Sequence, residues 1–227
     1  MRLRVRLSKT GLARFFSHLD LQRTLERSLR RAGLPIAYSQ GFNPHPRISF
    51  ASALATGTSS DGEFIDVELV EPMDPAEFVA QANAACPQGL RLLEARVAPD
   101  GKGDSLQALL NAAEYRITLA GAEPGPLRSA VEALLAAELL EVTKEGRTGP
   151  RPVNIRPQVY ALELTGPAEL RALVQTGPQG NLKPEDLIAG LRTLAPGLEG
   201  LEITGTHRLM LYRRDLETGA LVEPWSL

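Results

Sequence analysis

His18, Asp20, Tyr38, Ser39, His45 and Arg47 fall within one stretch, FFSHLDLQRTLERSLRRAGLPIAYSQGFNPHPRISF, residues 15–50. Histidine is the usual general acid or base near neutral pH. Metal-free RNA cleavage needs one group to take the 2′-hydroxyl proton and another to protonate the leaving oxygen. His18 with His45 or Tyr38 are the candidates for those roles. The competing reading is a histidine that only packs, because His18 falls in phase with the apolar face at the first turn of a helix. Metal ligation is not indicated, since separated histidines and scattered acids show no ligand spacing. No HExxH, nucleophile elbow, carboxylate pair or glycine-rich phosphate loop is present.

The element that must position His18 is a helix with clear limits. Ser17 can cap it, with Asp20 three residues on completing a box-like start, and Gly33 before Pro35 should end it. At about 100° per residue Leu21, Leu25, Ser28, Leu29 and Ala32 share one face. Arg23, Arg27 and Arg30 share the opposite one, with Arg31 beside them. Such a face is either a solvated exterior or a surface for a polyanion.

Charge distribution bears on that choice. Residues 1–50 hold ten Lys and Arg against Asp20 and Glu26, a net of +8, and nine of the ten are Arg. The whole chain is −2, so residues 51–227 carry −10. A near-neutral protein with so strong an asymmetry points towards polyanion binding, and Arg favours bidentate contact with phosphate. Arg14, Arg23, Arg27, Arg30, Arg31 and Arg47 are the expected phosphate contacts. Ser39, Gly41, Asn43 and His45 would shape the specific part of the surface.

At 227 residues and 43% hydrophobic content the chain can bury two small cores. The start alternates Arg with apolar residues, unlike a secretory signal, and no apolar run is long enough to span a membrane, so the cytoplasm is the expected compartment. Cys86 is the single cysteine, which excludes an internal disulfide and a cysteine-held cluster built by this chain alone. No cofactor is expected on this chain.

Patterning predicts strands at 2–7, 63–70 and 90–97, short extended pieces at 36–38 and 47–51, and a second helix at 75–85 with Asp74 as cap. That order is the split βαβ, or ferredoxin-like, plan. It sets Arg2, Arg4 and Arg6 near Phe64, Asp66 and Glu68 on the sheet face away from the helices, where cross-strand ion pairing competes with RNA contact. An RNA-recognition motif would show stacking aromatics there, and only Phe64 qualifies. Residues 98–104 read as a linker. The second half repeats the order with strands at 115–119, 141–144, 158–164 and 201–212 and helices at 127–140 and 184–194, leaving 169–175 as surplus, an extra strand or a hairpin extension. The expected fold is therefore α+β, two tandem ferredoxin-like (βαββαβ) domains with antiparallel sheets, at 1–98 and 114–227 around a linker at 99–113.

Three second-half segments invite a functional reading beside a structural one. GRTGPRPVNIR at 146–156 is a hairpin connection or a nucleic-acid finger. Residues 177–181 precede a helix whose N-terminus could hold phosphate. Residues 197–205, with His207, Arg208, Arg213 and Arg214 around them, form a turn or an RNA-facing edge.

The segment from FFSHLDLQRTLERSLRRAGLPIAYSQGFNPHPRISFASALATG to GEFIDVEL closely resembles the radical-SAM-linked bacterial family, a domain of unknown function found behind a radical SAM domain or encoded as its separate partner. VNIRPQVYALEL, NLKPEDLIAGL and THRLMLYRR look like its weaker second-half signatures. The family pattern covers Ser17, His18, Asp20, Arg23, Arg30, Arg31, Pro35, Tyr38, Ser39, Gly41, Phe42, Asn43, His45, Pro46 and Ser49. The resemblance implies a radical SAM protein as partner, whose iron–sulfur cluster must lie on another chain because Cys86 alone cannot hold one. The leading expectation is an accessory protein, without catalysis of its own, that binds structured RNA or a ribonucleoprotein alongside a separate radical SAM enzyme. A protein-interaction subunit without RNA contact and a metal-independent ribonuclease using His18 are the alternatives.

Overall fold

The computed structural model describes residues 1–227 except 100–104, 122 and 147–148. The chain divides into two units, one formed by residues 1–110 with 210–227 and the other by 111–209. Both are mixed α+β with antiparallel strand pairing.

The first unit follows the order β1 (Arg2–Lys9), α1 (His18–Arg31), β2 (Ile48–Phe50), β3 (Ser59–Glu68), α2 (Pro75–Ala85) and β4 (Leu90–Val97). β1 lies between β3 and β4, and β2 pairs with β3. Leu3, Val5 and Leu7 of β1 face Leu21, Leu25 and Leu29 of α1 in one buried cluster that also takes Ile65, Val67 and Phe78. Alternation places the other residues of β1 on the opposite side, beside the expected residues of β3: Arg2 across from Glu68, Arg4 from Asp66, Arg6 from Phe64.

That opposite side is not the open face the pattern suggested. The C-terminal segment covers it: Trp225 sets its ring edge-on to Phe64 at 5.0 Å, and Arg96 lies 4.6 Å over Trp225. Arg4 is buried, pairs with Asp66 at 2.9 Å and donates to the backbone oxygens of Pro224 and Leu227. Ion pairing rather than RNA contact thus takes this part of β1. Lys9, also counted in the basic half, is buried and donates to the Phe16 carbonyl.

After α3 (Leu106–Leu109), the second unit runs β5 (Ala112–Ala120), α4 (Pro124–Ala136), β6 (Glu141–Gly146), β7 (Gly149–Asn154), β8 (Val159–Gly166), β9 (Glu169–Gln175), α5 (Pro184–Arg192) and β10 (Glu202–Arg214), whose last residues return to the first unit. Where the sequence suggested a linker, 105–113 carry α3 and the start of β5; most of the glycine-bearing run before it lies outside the described residues.

The segment judged surplus, 169–175, is β9, an interior strand between β5 and β8. Its alternating Leu170, Ala172 and Val174 are fully or nearly buried. Residues 141–144, taken as a sheet strand, instead form a separate two-stranded hairpin with β7. β6 and β9 are both short, six and seven residues, and only pairing tells an inserted hairpin from a core strand. A final short strand, β11 (Leu221–Val222), pairs with the end of β10.

Candidate nucleic-acid interface

Ser17 caps α1 as its spacing requires. Its hydroxyl accepts the Asp20 backbone N–H, and the Asp20 side chain accepts from the Ser17 N–H and hydroxyl. Those hydrogen bonds, with Arg23 close by, hold the Asp20 carboxyl below the usual carboxylate range. At the other end Gly33, at φ 69°, donates to Arg30, and Leu34 donates to Leu29. This is a Schellman closure that only glycine adopts without strain.

With the helix so fixed, Arg23, Arg27, Arg30 and Arg31 are all exposed, and none forms an ion pair within the described residues. Arg14 is exposed too, its guanidinium 4.7 Å over the Phe15 ring. Arg47 is exposed but pairs with Glu68 at 2.9 Å. All six expected phosphate contacts therefore reach solvent, five of them without a carboxylate partner within the described residues.

Beside this row runs a groove of about 620 Å³ between α1 and α2, lined by Thr24, Arg27, Arg31, Gln81 and Cys86 among others, with no acid in the lining. Burial pushes the Cys86 thiol above its ordinary range, outweighing a hydrogen bond with Ser28 and the nearby Arg31 charge. Because the thiolate is the reactive form, iodoacetamide should modify Cys86 more slowly than free cysteine at neutral pH. The rate should climb through a midpoint above that of an ordinary thiol, as mass spectrometry across a pH series would show. A free-cysteine rate at neutral pH would mean that burial does not govern this thiol.

The loop after α1 is closed by its own backbone. Tyr38 bridges Pro46, Ser39 and His45 exchange two hydrogen bonds, and Arg47 N–H donates to Ala37. Gly41 turns the tip at φ 125°, and Phe42 beside it is fully exposed. Asn43 and His45 are exposed and Ser39 half-buried, so the specificity candidates sit together on one hairpin. Phe42, which belongs to the family pattern, stands at that tip between Gly41 and Asn43-Pro44.

His18 is the first residue of α1. It lines a cavity of about 400 Å³ with Gln22, Ser49, Phe50, Ser52 and Gln107; neither Tyr38 nor His45 is in the lining. The three candidate proton-transfer residues are thus not brought to one cavity. His18 meets Phe50 edge-on at 5.1 Å, and its Nδ1 is buried without a hydrogen-bond partner.

In the second half, Arg208 is buried in β10 and does not form the exposed edge suggested for it. Arg156 donates to the carbonyls of Leu135, Ala137 and Val159, clamping the end of α4. Arg151 is exposed on β7, and Arg147 lies outside the described residues. Among the described residues, α1 thus carries a row of exposed arginines without ion pairs.

By fold and surface this is an antiparallel α+β protein with an unpaired arginine face on its first helix. The chain belongs to the family described as an uncharacterised protein conserved in bacteria (DUF2344), whose profile matches residues 2–184. No curated protein matches the sequence. Twenty-six chains of solved structures match. One is a chain from the crystal structure of a Cbf5–Nop10–Gar1 complex, with a TM-score of 0.50 and 13% identity over 94% of this chain. The match spans 50% of that chain, and the likeness is one of fold. No helix among the described residues is long and apolar enough to cross a membrane.

Proposed function

We propose that this protein binds structured RNA, or an RNA within a ribonucleoprotein, through the outer face of α1, as the cytoplasmic accessory of a separate radical SAM enzyme. The observation that carries the RNA part is the row Arg23, Arg27, Arg30 and Arg31, exposed on one capped helix and without ion pairs within the described residues. Surface arginines kept for solubility alone gain from acidic neighbours, whereas unpaired guanidiniums are ready for phosphate oxygens. The acid-free groove beside the row widens the same surface. The radical SAM partner rests on the family resemblance of residues 9–69. We read the two units as tandem ferredoxin-like halves, the second carrying β6 and β7 as an inserted hairpin. In each, the first strand lies between the third and the fourth.

The test is fluorescence anisotropy with structured bacterial RNAs from about 50 to 200 mM salt, where several phosphate contacts lower affinity by orders of magnitude. Replacing Arg23, Arg27 and Arg30 together by Ala should weaken binding at each salt concentration and flatten the log–log slope by about two to three. Alanine keeps the helix, so circular dichroism should be unchanged. Absence of RNA binding at the lowest salt would defeat the proposal.

A second reading has its own support. Leu12, Phe15 and Leu19, around the start of α1, are 83%, 53% and 59% exposed. Apolar side chains gathered at one chain segment suit a protein partner, and the interaction-subunit reading predicts capture of the radical SAM protein with no RNA present, salt-sensitive where the arginine face of α1 meets an acidic partner surface. The ribonuclease reading, in contrast, lacks Tyr38 and His45 at the His18 cavity.

A further inference from the structure

The His18 cavity is not used by the phosphate surface, and its chemistry is different. Its lining offers two carboxamides (Gln22 and Gln107), three hydroxyls (Ser49, Ser52 and Ser105), an imidazole and the Phe50 ring, with no carboxylate, lysine or arginine. A concave site of this size lined by apolar surface and a few neutral hydrogen-bonding groups suits an uncharged, planar, polar ligand. The Gln22 amide is oriented by its hydrogen bond to Glu26 at 3.0 Å, so one wall of the cavity is built before any ligand arrives. The His18 ring borders the cavity with its Nδ1 buried behind it. Phe50 holds that ring edge-on.

Gln22 and Arg23 are neighbours on α1: the first lines the cavity and the second is exposed in the arginine row. A nucleotide could thus place its phosphate on the row and its base in the cavity. Sequence-specific RNA recognition commonly takes unpaired bases in this manner, stacked on an aromatic ring and hydrogen-bonded at their edges. We infer that the cavity receives one unpaired nucleobase from a loop or bulge of the bound RNA. The inference rests on the RNA-binding reading and adds to it the part of the RNA that is read.

The experiment uses the full-length protein and a stem–loop RNA that binds it. Each loop nucleotide is replaced in turn by an abasic one, and affinity is read by anisotropy. One position should lose roughly tenfold or more, the scale of a stacked base. Ser49→Trp should abolish that position's effect: Ser49 is exposed on the short β2, so the indole can occupy the cavity from the surface. His18→Ala should reduce the effect in parallel. Salt-steep binding that is indifferent to every abasic substitution, or an abasic penalty undiminished in Ser49→Trp, overturns the cavity inference and leaves the phosphate surface standing. No RNA binding by the wild type at low salt overturns both.

Discussion

Arg4→Ala is expected to destabilise the first unit by about 3–5 kcal/mol, the range found when one partner of a buried ion pair is removed. Arg4 reaches Asp66 through both Nε, at 2.9 Å, and a terminal nitrogen, at 3.1 Å, and its other terminal nitrogen serves Pro224 and Leu227. Truncation leaves the Asp66 carboxylate in a buried position with only Arg2 near it, at 3.9 Å. It also removes the donor that holds the C-terminal segment over Phe64. Urea denaturation followed by tryptophan fluorescence is well placed to check this, because Trp225 is the single tryptophan and sits on that segment. The double variant Arg4→Met/Asp66→Leu should recover most of the loss, since apolar replacement of both partners avoids the stranded charge. A single variant that unfolds at the wild-type midpoint would show that the pair is not a structural anchor.

Gly121→Ala is the second large effect. Gly121 follows β5 with φ 81°, where a side chain is strained. A Cβ added there would meet the Gly200 carbonyl oxygen at 1.9 Å and its carbon at 2.8 Å, so backbone would have to move. Left-handed strain with an overpacked contact should cost about 2–5 kcal/mol. Gly57→Ala separates the two causes: Gly57 has φ 89° but nothing within 4 Å of the added carbon. It should lose only the conformational part, about 1–2 kcal/mol. Thermal unfolding of the two variants beside the wild type, monitored by circular dichroism, gives the comparison. Equal losses would mean that the Gly121–Gly200 approach is slack.

Features legible in the chain were those set by neighbours in sequence. Ser17, Asp20 and Gly33 marked both ends of α1 because caps are local hydrogen bonds. The arginine face followed from helical period, and all six arginines proposed for phosphate contact proved exposed. The alternation of β1 and β3 placed Arg2, Arg4 and Arg6 on the same face as Phe64, Asp66 and Glu68, because a one-residue slip would turn the buried set outward; the pairing of Arg4 with Asp66 came only with the fold. The polar loop at 39–46 was visible from its Gly, Asn and Pro content.

Tertiary structure decided what depends on distant pairing. No local signal made 169–175 an interior strand and 141–146 half of a detached hairpin; the neighbours each strand found made that choice. Nor could the N-terminal pattern show that residues 224–227 return to cover Arg4 and Phe64. The His18 cavity draws on α1, β2, the loop after it and α3, whose members are 89 residues apart from His18 to Gln107. That cavity takes in neither Tyr38 nor His45, the nearer candidates in sequence. Sequence thus determined which residues could bear charge or cap a helix, since those properties are local. Tertiary structure determined which of them share a surface or a cavity, since burial and contact are made by chain segments that meet only on folding.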